Sequence, residues 1–135
     1  MGKSKVVLDT NILISALGWN GKPHKILAQI ISGDVELFIS QAQFDELSRV
    51  LDYPKFEFEE EQKSRFKALV SAVATFVDAP ARLDVVKEDP ADSLILESAV
   101  AARADFIVSG DEHLLSLGKV NGTRILTAND FLKLG

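Results

Sequence analysis

Short apolar runs alternate along this chain with longer stretches in which apolar residues recur every three or four positions. The short runs are rich in β-branched and aromatic residues and are too short for helices, so they predict strands. These predicted strands are KVVL at 5–8, VELFI at 35–39, TFVD at 75–78, DFIV at 105–108 and TRIL at 123–126. The longer stretches predict helices, with apolar spacing at Ile12/Ala16, Ile26/Ile30, Phe44/Leu47/Leu51, Phe66/Leu69/Val73 and Leu94/Ile95/Ser98/Ala102.

The alternation of strands and helices is typical of βαβ units. It predicts an α/β fold in which helices cover both faces of a mostly parallel central sheet. Signals at the helix starts agree: residues 40–43, SQAQ, read as a capping box, and Asp89-Pro90 reads as an N-cap followed by a first-turn proline. The polar stretch 78–88, which contains Pro80, is predicted to be a loop.

Length and composition narrow the class of protein. The 135 residues fit one domain spanning 1–135, and 47% hydrophobic with 26% charged residues is a globular composition. There is no cysteine, and no stretch approaches the roughly 20 apolar residues that cross a bilayer, so we expect a cytoplasmic protein with no membrane partner. The net charge of −5 argues against electrostatically driven binding to nucleic acid, although an enzyme that holds nucleic acid through bound cations, or a basic partner, would fit.

Acidic residues follow the predicted strands. Asp9 comes directly after the first strand, and Asp111 follows the fourth after Ser109-Gly110. Asp92 lies in the first turn of the helix that opens at Asp89-Pro90, and Glu46 lies one turn into the helix after the second strand. In a parallel sheet the carboxyl ends of the strands share one edge, where ligands bind, so ordinary right-handed crossovers let all four carboxylates reach that edge.

Four carboxylates at one edge repel one another unless a cation compensates their charge. Mg²⁺, or alternatively Mn²⁺, prefers oxygen ligands and suits a site without cysteine. Zinc does not fit, because the histidines His24 and His113 are isolated and lack metal-ligand spacing. The sequence therefore predicts a magnesium site held by Asp9, Glu46, Asp92 and Asp111.

Each of these acidic residues also has a purely structural explanation. Asp9 and Asp111 can each cap the helix that follows, and Asp92 in a first turn is favoured by the helix dipole alone. Glu46 lies off the apolar stripe of its helix and would then be an ordinary surface residue, with its neighbour Asp45 as a competing candidate.

Four segments together resemble the PIN-domain family of Mg²⁺-dependent ribonucleases, which includes toxins of toxin-antitoxin systems. They are VVLDTNILISAL, QFDELSRVL, EDPADSLILESAVAARADFIVSGDEHLL and RILTANDFL. The resemblance implies a PIN-like α/β/α sandwich with Asp9, Glu46, Asp92 and Asp111 as its acidic quartet, and Asn11 and Ser109 as accompanying polar residues. It also implies hydrolysis of RNA phosphodiester bonds by a metal-activated water, a cognate antitoxin and a homodimer; whether one ion or two is bound stays open.

Alternative functions and residues accompany this interpretation. A catalytically silent PIN-like module that binds RNA or protein is the main alternative. A phosphatase-like nucleophile at Asp9 is another, although such enzymes commonly place a second Asp where this chain has Asn11. Asp130 is a further acidic candidate, but its place in a first turn after Thr127 is explained by capping. The aromatic residues Trp19 and those of YPKFEF at 53–58 either form a partner surface or fold back over the core.

Overall fold

The computed structural model describes residues 3–79 and 90–134, and for residues 90–92 the backbone alone. The strands are β1 (Ser4–Leu8), β2 (Val35–Ser40), β3 (Ala74–Val77), β4 (Phe106–Val108), β5 (Lys119–Val120) and β6 (Thr123–Leu126). The α-helices are α1 (Thr10–Gly18), α2 (Lys22–Ser32), α3 (Gln41–Leu51), α4 (Glu60–Val73), α5 (Pro90–Ala102), α6 (Glu112–Leu117) and α7 (Ala128–Leu134). Within these ranges no helix has the length and apolar content needed to cross a membrane.

The strands form one sheet in the order β3-β2-β1-β4-β6-β5. All neighbouring pairs are parallel except β5 and β6, which are antiparallel. The chain runs outward from β1 through β2 to β3 and then crosses to the other side of β1 to form β4. The strand order therefore reverses between β1 and β4, which is where open parallel sheets bind their ligands, at the carboxyl ends of the strands.

Alternate residues of the central strand face opposite layers of helices. Val6 and Leu8 belong to a core with residues of α1, α2, α3, α4 and α7, whereas Val7 belongs to a second core with residues of α5 and α6. All three side chains are fully buried, so β1 is covered on both sides. The predicted three-layer α/β/α sandwich with a mostly parallel sheet is confirmed.

The predicted strands are all present, and none of their ends shifts by more than one residue. The strand β5 was not predicted. It is two residues long and is joined to β6 by Asn121 and Gly122, whose φ angles are 49° and 88°. Two consecutive residues with positive φ form the type I′ turn that joins antiparallel strands.

The predicted capping box is only half formed. The Ser40 hydroxyl accepts a hydrogen bond from the Gln43 amide at 3.1 Å, as expected of an N-cap. The Gln43 side chain does not return to the Ser40 amide, however; its Nε2 donates to the Leu8 carbonyl at 2.6 Å. The prediction of a reciprocal box is therefore wrong, because a buried acceptor on β1 takes this side chain. The predicted N-cap Asp89 and residues 80–88 of the predicted loop lie outside the described residues.

The aromatic segment at 53–58 folds back over the core, as the second of the two alternatives expected. Phe56 and Phe58 pack against the first core, and Phe58 meets the Phe66 ring edge-on at 5.1 Å between centroids. Trp19 lies against Phe58 at 5.8 Å, yet 54% of it remains exposed. Tyr53 is also exposed.

Candidate metal centre

Asp9 stands where β1 ends, beside the reversal of strand order. Its amide donates to the Val108 carbonyl of β4 at 3.0 Å, so the backbone is still part of the sheet at this residue. Asp9 also occupies the N-cap position of α1, but its side chain makes no capping hydrogen bond. The backbone amides of Asn11 and Thr10 still stabilise the negative charge of the carboxylate, so Asp9 keeps part of a capping role.

Ser109 and Asp111 reach the same place from the end of β4. The Ser109 side chain is fully buried, and its hydroxyl donates to Asp9 Oδ2 at 2.7 Å. Ser109 Oγ in turn accepts a hydrogen bond from the Asp111 backbone amide at 3.0 Å. Asp111 Oδ1 accepts the His113 amide at 2.7 Å and so caps α6, as its structural explanation expects. One serine thus holds two of the predicted acidic residues at the reversal point, while Asp111 serves in a cap as well.

Burial and neighbouring charge disfavour the ionised form of Asp9. The pKa of Asp9 is raised above its ordinary value of 3.8, chiefly because burial removes water from the carboxylate. The Ser109 hydrogen bond and the Asn11 amide oppose this rise in pKa, the negative charge of Asp111 adds to it, and the Thr10 amide opposes it slightly. A cation near Asp9 would relieve this cost.

Glu46 is buried on α3, with an exposed fraction of 8%. The surface-glutamate alternative is therefore wrong. Its competitor Asp45 is exposed and accepts a hydrogen bond from Gln41 Nε2 at 2.9 Å on the outer face of the helix. Glu46 lies three residues after Gln43, so the two side chains share the inner face of α3.

The remaining predicted residues are exposed or have side chains outside the described residues. Asp92 lies in the first turn of α5, as predicted, but its side chain lies outside the described residues. Asn11 is exposed, and so is Asp130, whose amide donates to Thr127 Oγ1 at 3.1 Å as a capping role expects. Within the described part of the chain, no three His, Cys, Asp or Glu side chains lie close enough to form a metal-binding group.

The sequence profile of the PIN domain matches residues 5–113 of this chain. The chain belongs to the PIN-domain family. The match begins in β1 and ends just beyond Asp111, so it includes the segments that carry all four predicted acidic residues.

Two proteins illustrate what this PIN domain is similar to. The uncharacterized protein MJ1680 of Methanocaldococcus jannaschii is 29% identical over 123 residues, which are 88% of this chain and 78% of that protein. A chain in the crystal structure of VapBC2 from Rickettsia felis, bound to a DNA fragment from their promoter, superposes with a TM-score of 0.64. That match covers 90% of this chain and 96% of the other at 16% identity, so it shows the fold.

The donors in this PIN domain suit a hard divalent cation. Asp9, Glu46 and Asp111 provide carboxylate oxygens, which Mg²⁺ and Mn²⁺ prefer. Glu46 is buried and Asp9 is partly buried, and burial raises the pKa of Asp9 because it removes water from the carboxylate. The donor chemistry of these residues therefore fits the metal that the family implies, although the three described carboxylates do not by themselves form a metal-binding group.

Sequence reasoning missed three buried polar residues whose hydrogen bonds lead to the end of β1, next to Asp9. Gln43, Ser40 and Ser98 are buried, and hydrogen bonds connect them to one another and to the end of β1. Ser40 and Gln43 were noticed only as a cap, and Ser98 only as a member of an apolar stripe. The signal that could have identified these residues is a polar residue at a position of the helix where an apolar one is expected.

Proposed function

We propose that this PIN domain is a metal-dependent endoribonuclease that hydrolyses RNA phosphodiester bonds. The observation that carries the proposal is the pairing of Asp9 with Ser109 and Asp111 at the point where the strand order reverses. A partly buried carboxylate with a raised pKa beside a second acidic residue is typical of a functional site. Membership of the PIN-domain family supports the same function.

In this proposal Asp9, Glu46, Asp92 and Asp111 hold Mg²⁺ or Mn²⁺. When bound, the metal supplies a more acidic water and stabilises negative charge on the phosphate. Ser109 holds the Asp9 carboxylate in place through a hydrogen bond to Oδ2. The charge of Asp111 beside Asp9 makes the pair a stronger attractant for a cation than either carboxylate alone.

The test is cleavage of a pool of structured and unstructured RNAs in Mg²⁺, in Mn²⁺ and in EDTA. We expect Asp9→Asn and Asp111→Asn to abolish the metal-dependent cleavage, because each removes a ligand charge while keeping the side-chain shape. Asp45→Asn is the matched control, since Asp45 is an exposed acid next to Glu46 and should retain the parent activity. Cleavage by Asp9→Asn at the parent rate would refute the proposal.

A catalytically silent binding module is the second candidate, and the net charge of −5 favours a protein partner for it. Titration with Mn²⁺ separates the two candidates. A nuclease should show a rise in thermal unfolding temperature with Mn²⁺ together with cleavage. No rise and no cleavage in either metal would favour binding alone.

We also propose that the protein is the toxin of a toxin-antitoxin pair and forms a homodimer. The likeness of its fold to a VapBC2 chain supports an antitoxin partner. Light scattering of the purified chain measures the dimer, and a monomer at micromolar concentration would contradict it. A small reading frame beside the gene, whose product binds this chain and suppresses cleavage, would identify the antitoxin.

A further inference from the structure

The peptide bond between Leu8 and Asp9 is held from both sides. The Asp9 N–H donates to the Val108 carbonyl of β4 at 3.0 Å. Because the N–H and C=O of a trans peptide point in opposite directions, the Leu8 carbonyl points away from β4, toward β2. There it accepts Gln43 Nε2 at 2.6 Å.

At this position the Gln43 side chain supplies the hydrogen-bond donor that a neighbouring strand would otherwise provide. The pairing of β1 with β2 ends at Val6 and Leu37, so β2 offers Leu8 no paired residue. A buried carbonyl without a donor would be costly, and Gln43, which is fully buried, supplies the donor from α3. The orientation of the backbone that carries the Asp9 side chain is thus set by β4 and by α3 together.

Two serines extend this connection to the helix that carries Asp92. The backbone amide of Gln43 donates to Ser40 Oγ at 3.1 Å, and Ser40 Oγ lies 2.9 Å from Ser98 Oγ of α5. Ser98 is fully buried, and its Oγ also lies 2.9 Å from the Leu94 carbonyl oxygen, so its single proton is shared between these two acceptors. A continuous set of buried hydrogen bonds therefore joins β1, α3 and α5.

These three elements carry three of the four proposed acidic ligands: Asp9 follows β1, Glu46 lies on α3 and Asp92 on α5. Ligand spacing in a metal site depends on the groups that hold the ligands as well as on the ligands themselves. We propose that Gln43, Ser40 and Ser98 form a positioning network that sets the spacing of these acidic residues and thereby the affinity for the metal. This inference rests on the proposed function for the identity of the site.

Titration calorimetry with Mn²⁺ tests the network. We expect Gln43→Leu to raise the dissociation constant at least about 10-fold, the lower end of what outer-shell substitutions cost metal sites. Ser98→Ala, which removes a single hydroxyl and leaves Gln43 in place, should give a smaller rise and keeps the test valid if Gln43→Leu does not fold. In RNA cleavage both variants should need more metal for half-maximal rate, with KM for RNA unchanged.

Thr123→Val is the matched control. Thr123 is buried at the amino end of β6, whereas Asp9 lies at the carboxyl end of β1. The Thr123 hydroxyl donates to the Ala104 carbonyl at 2.7 Å. This variant also loses a buried hydroxyl, so it reports the general effect of destabilisation on metal binding. A dissociation constant unchanged in Ser98→Ala and Gln43→Leu, or raised equally in Thr123→Val, would overturn the inference.

Hydrogen exchange distinguishes a failed network from a failed nuclease. In metal-free protein, Gln43→Leu should speed exchange of the Asp9 amide by at least about 10-fold relative to wild type, while Thr123→Val should not. A wild type that binds Mn²⁺ without cleaving RNA refutes the nuclease and leaves the network standing. If wild type does not bind Mn²⁺, the metal role fails for both, and unchanged exchange in Gln43→Leu would also refute the positioning of Asp9.

Discussion

Replacing Ser109 with alanine isolates the contact on which the candidate centre depends. The variant loses the 2.7 Å hydrogen bond to Asp9 Oδ2 and the acceptor of the Asp111 amide. A hydrogen bond to a charged group contributes about 1.5–3 kcal/mol. Asp111 is only partly buried, so its amide can turn to water at little cost. We therefore expect Ser109→Ala to lower the free energy of unfolding by about 2 kcal/mol at pH 7 without metal.

The loss should depend on pH, because the hydrogen bond favours the ionised form of Asp9. In wild type the pKa of Asp9 is already raised above 3.8 by burial, and the Ser109 bond opposes this rise. Without the bond the pKa rises further. The stability difference is therefore full above both folded pKa values, and it shrinks as pH falls through them toward 3.8. In acid only a neutral hydrogen bond is lost, at about 1 kcal/mol or less.

Urea denaturation at several pH values between 4 and 7 in EDTA measures this difference. Thr123→Val serves as the control, because its hydroxyl donates to a neutral carbonyl and its cost should not vary with pH. A loss in Ser109→Ala that is below 0.5 kcal/mol, or that stays constant from pH 7 to pH 4 as in the control, would refute the pairing of Ser109 with an ionised Asp9.

Two further substitutions test the electrostatics and the packing around this centre. In EDTA the raised pKa of Asp9 stabilises the protein in acid, and this stabilisation is lost as pH rises through that pKa. Asp9→Asn should lack this pH-dependent loss of stability and should be as stable as wild type, or more stable, at pH 7. A large loss of stability of Asp9→Asn in urea denaturation at pH 7 would contradict this prediction. Gly18→Ala should lower the free energy of unfolding by about 1 kcal/mol in thermal or urea unfolding, because its new Cβ would meet Phe58 Cζ at 2.9 Å. Gly110→Ala is the control, since a Cβ at Gly110 would have no atom within 4 Å. Equal stability of the two variants would contradict the clash.

The sheet could be predicted because its strands are short apolar runs, rich in β-branched and aromatic residues, that are too short to form helices. The strand β5 could not be found this way, since two residues carry no periodic pattern. Its position was nevertheless marked by Asn121-Gly122, a dipeptide that favours the turn between antiparallel strands. Turn chemistry, rather than hydrophobicity, identifies such a strand.

The positions of Asp9 and Asp111 follow from chain order, because Asp9 comes directly after β1, Asp111 comes three residues after the end of β4, and these two strands are neighbours in the sheet. The acidic residues on helices are harder to place. Their location depends on how each helix rotates about its axis, and that rotation is set by the layer it covers. For Glu46 the apolar residues Phe44, Leu47 and Leu51 indicated a stripe that left this side chain outside.

The buried face of α3 in fact consists of Gln43, Glu46, Leu47, Val50 and Leu51. These residues have the spacing i, i+3, i+4, i+7, i+8 of a helix face turned to a core, yet the first two are polar. In α5 the polar Ser98 lies likewise among the buried Ile95, Ala99 and Ala102. Burying a polar side chain is costly unless it gains a hydrogen bond or a ligand, so such positions mark where a helix does more than pack. Gln43 of α3 reaches the Leu8 carbonyl next to Asp9, and Ser98 of α5 reaches Ser40 at the end of β2, so the polar positions within these packed faces point toward the same end of the sheet as the acidic residues do.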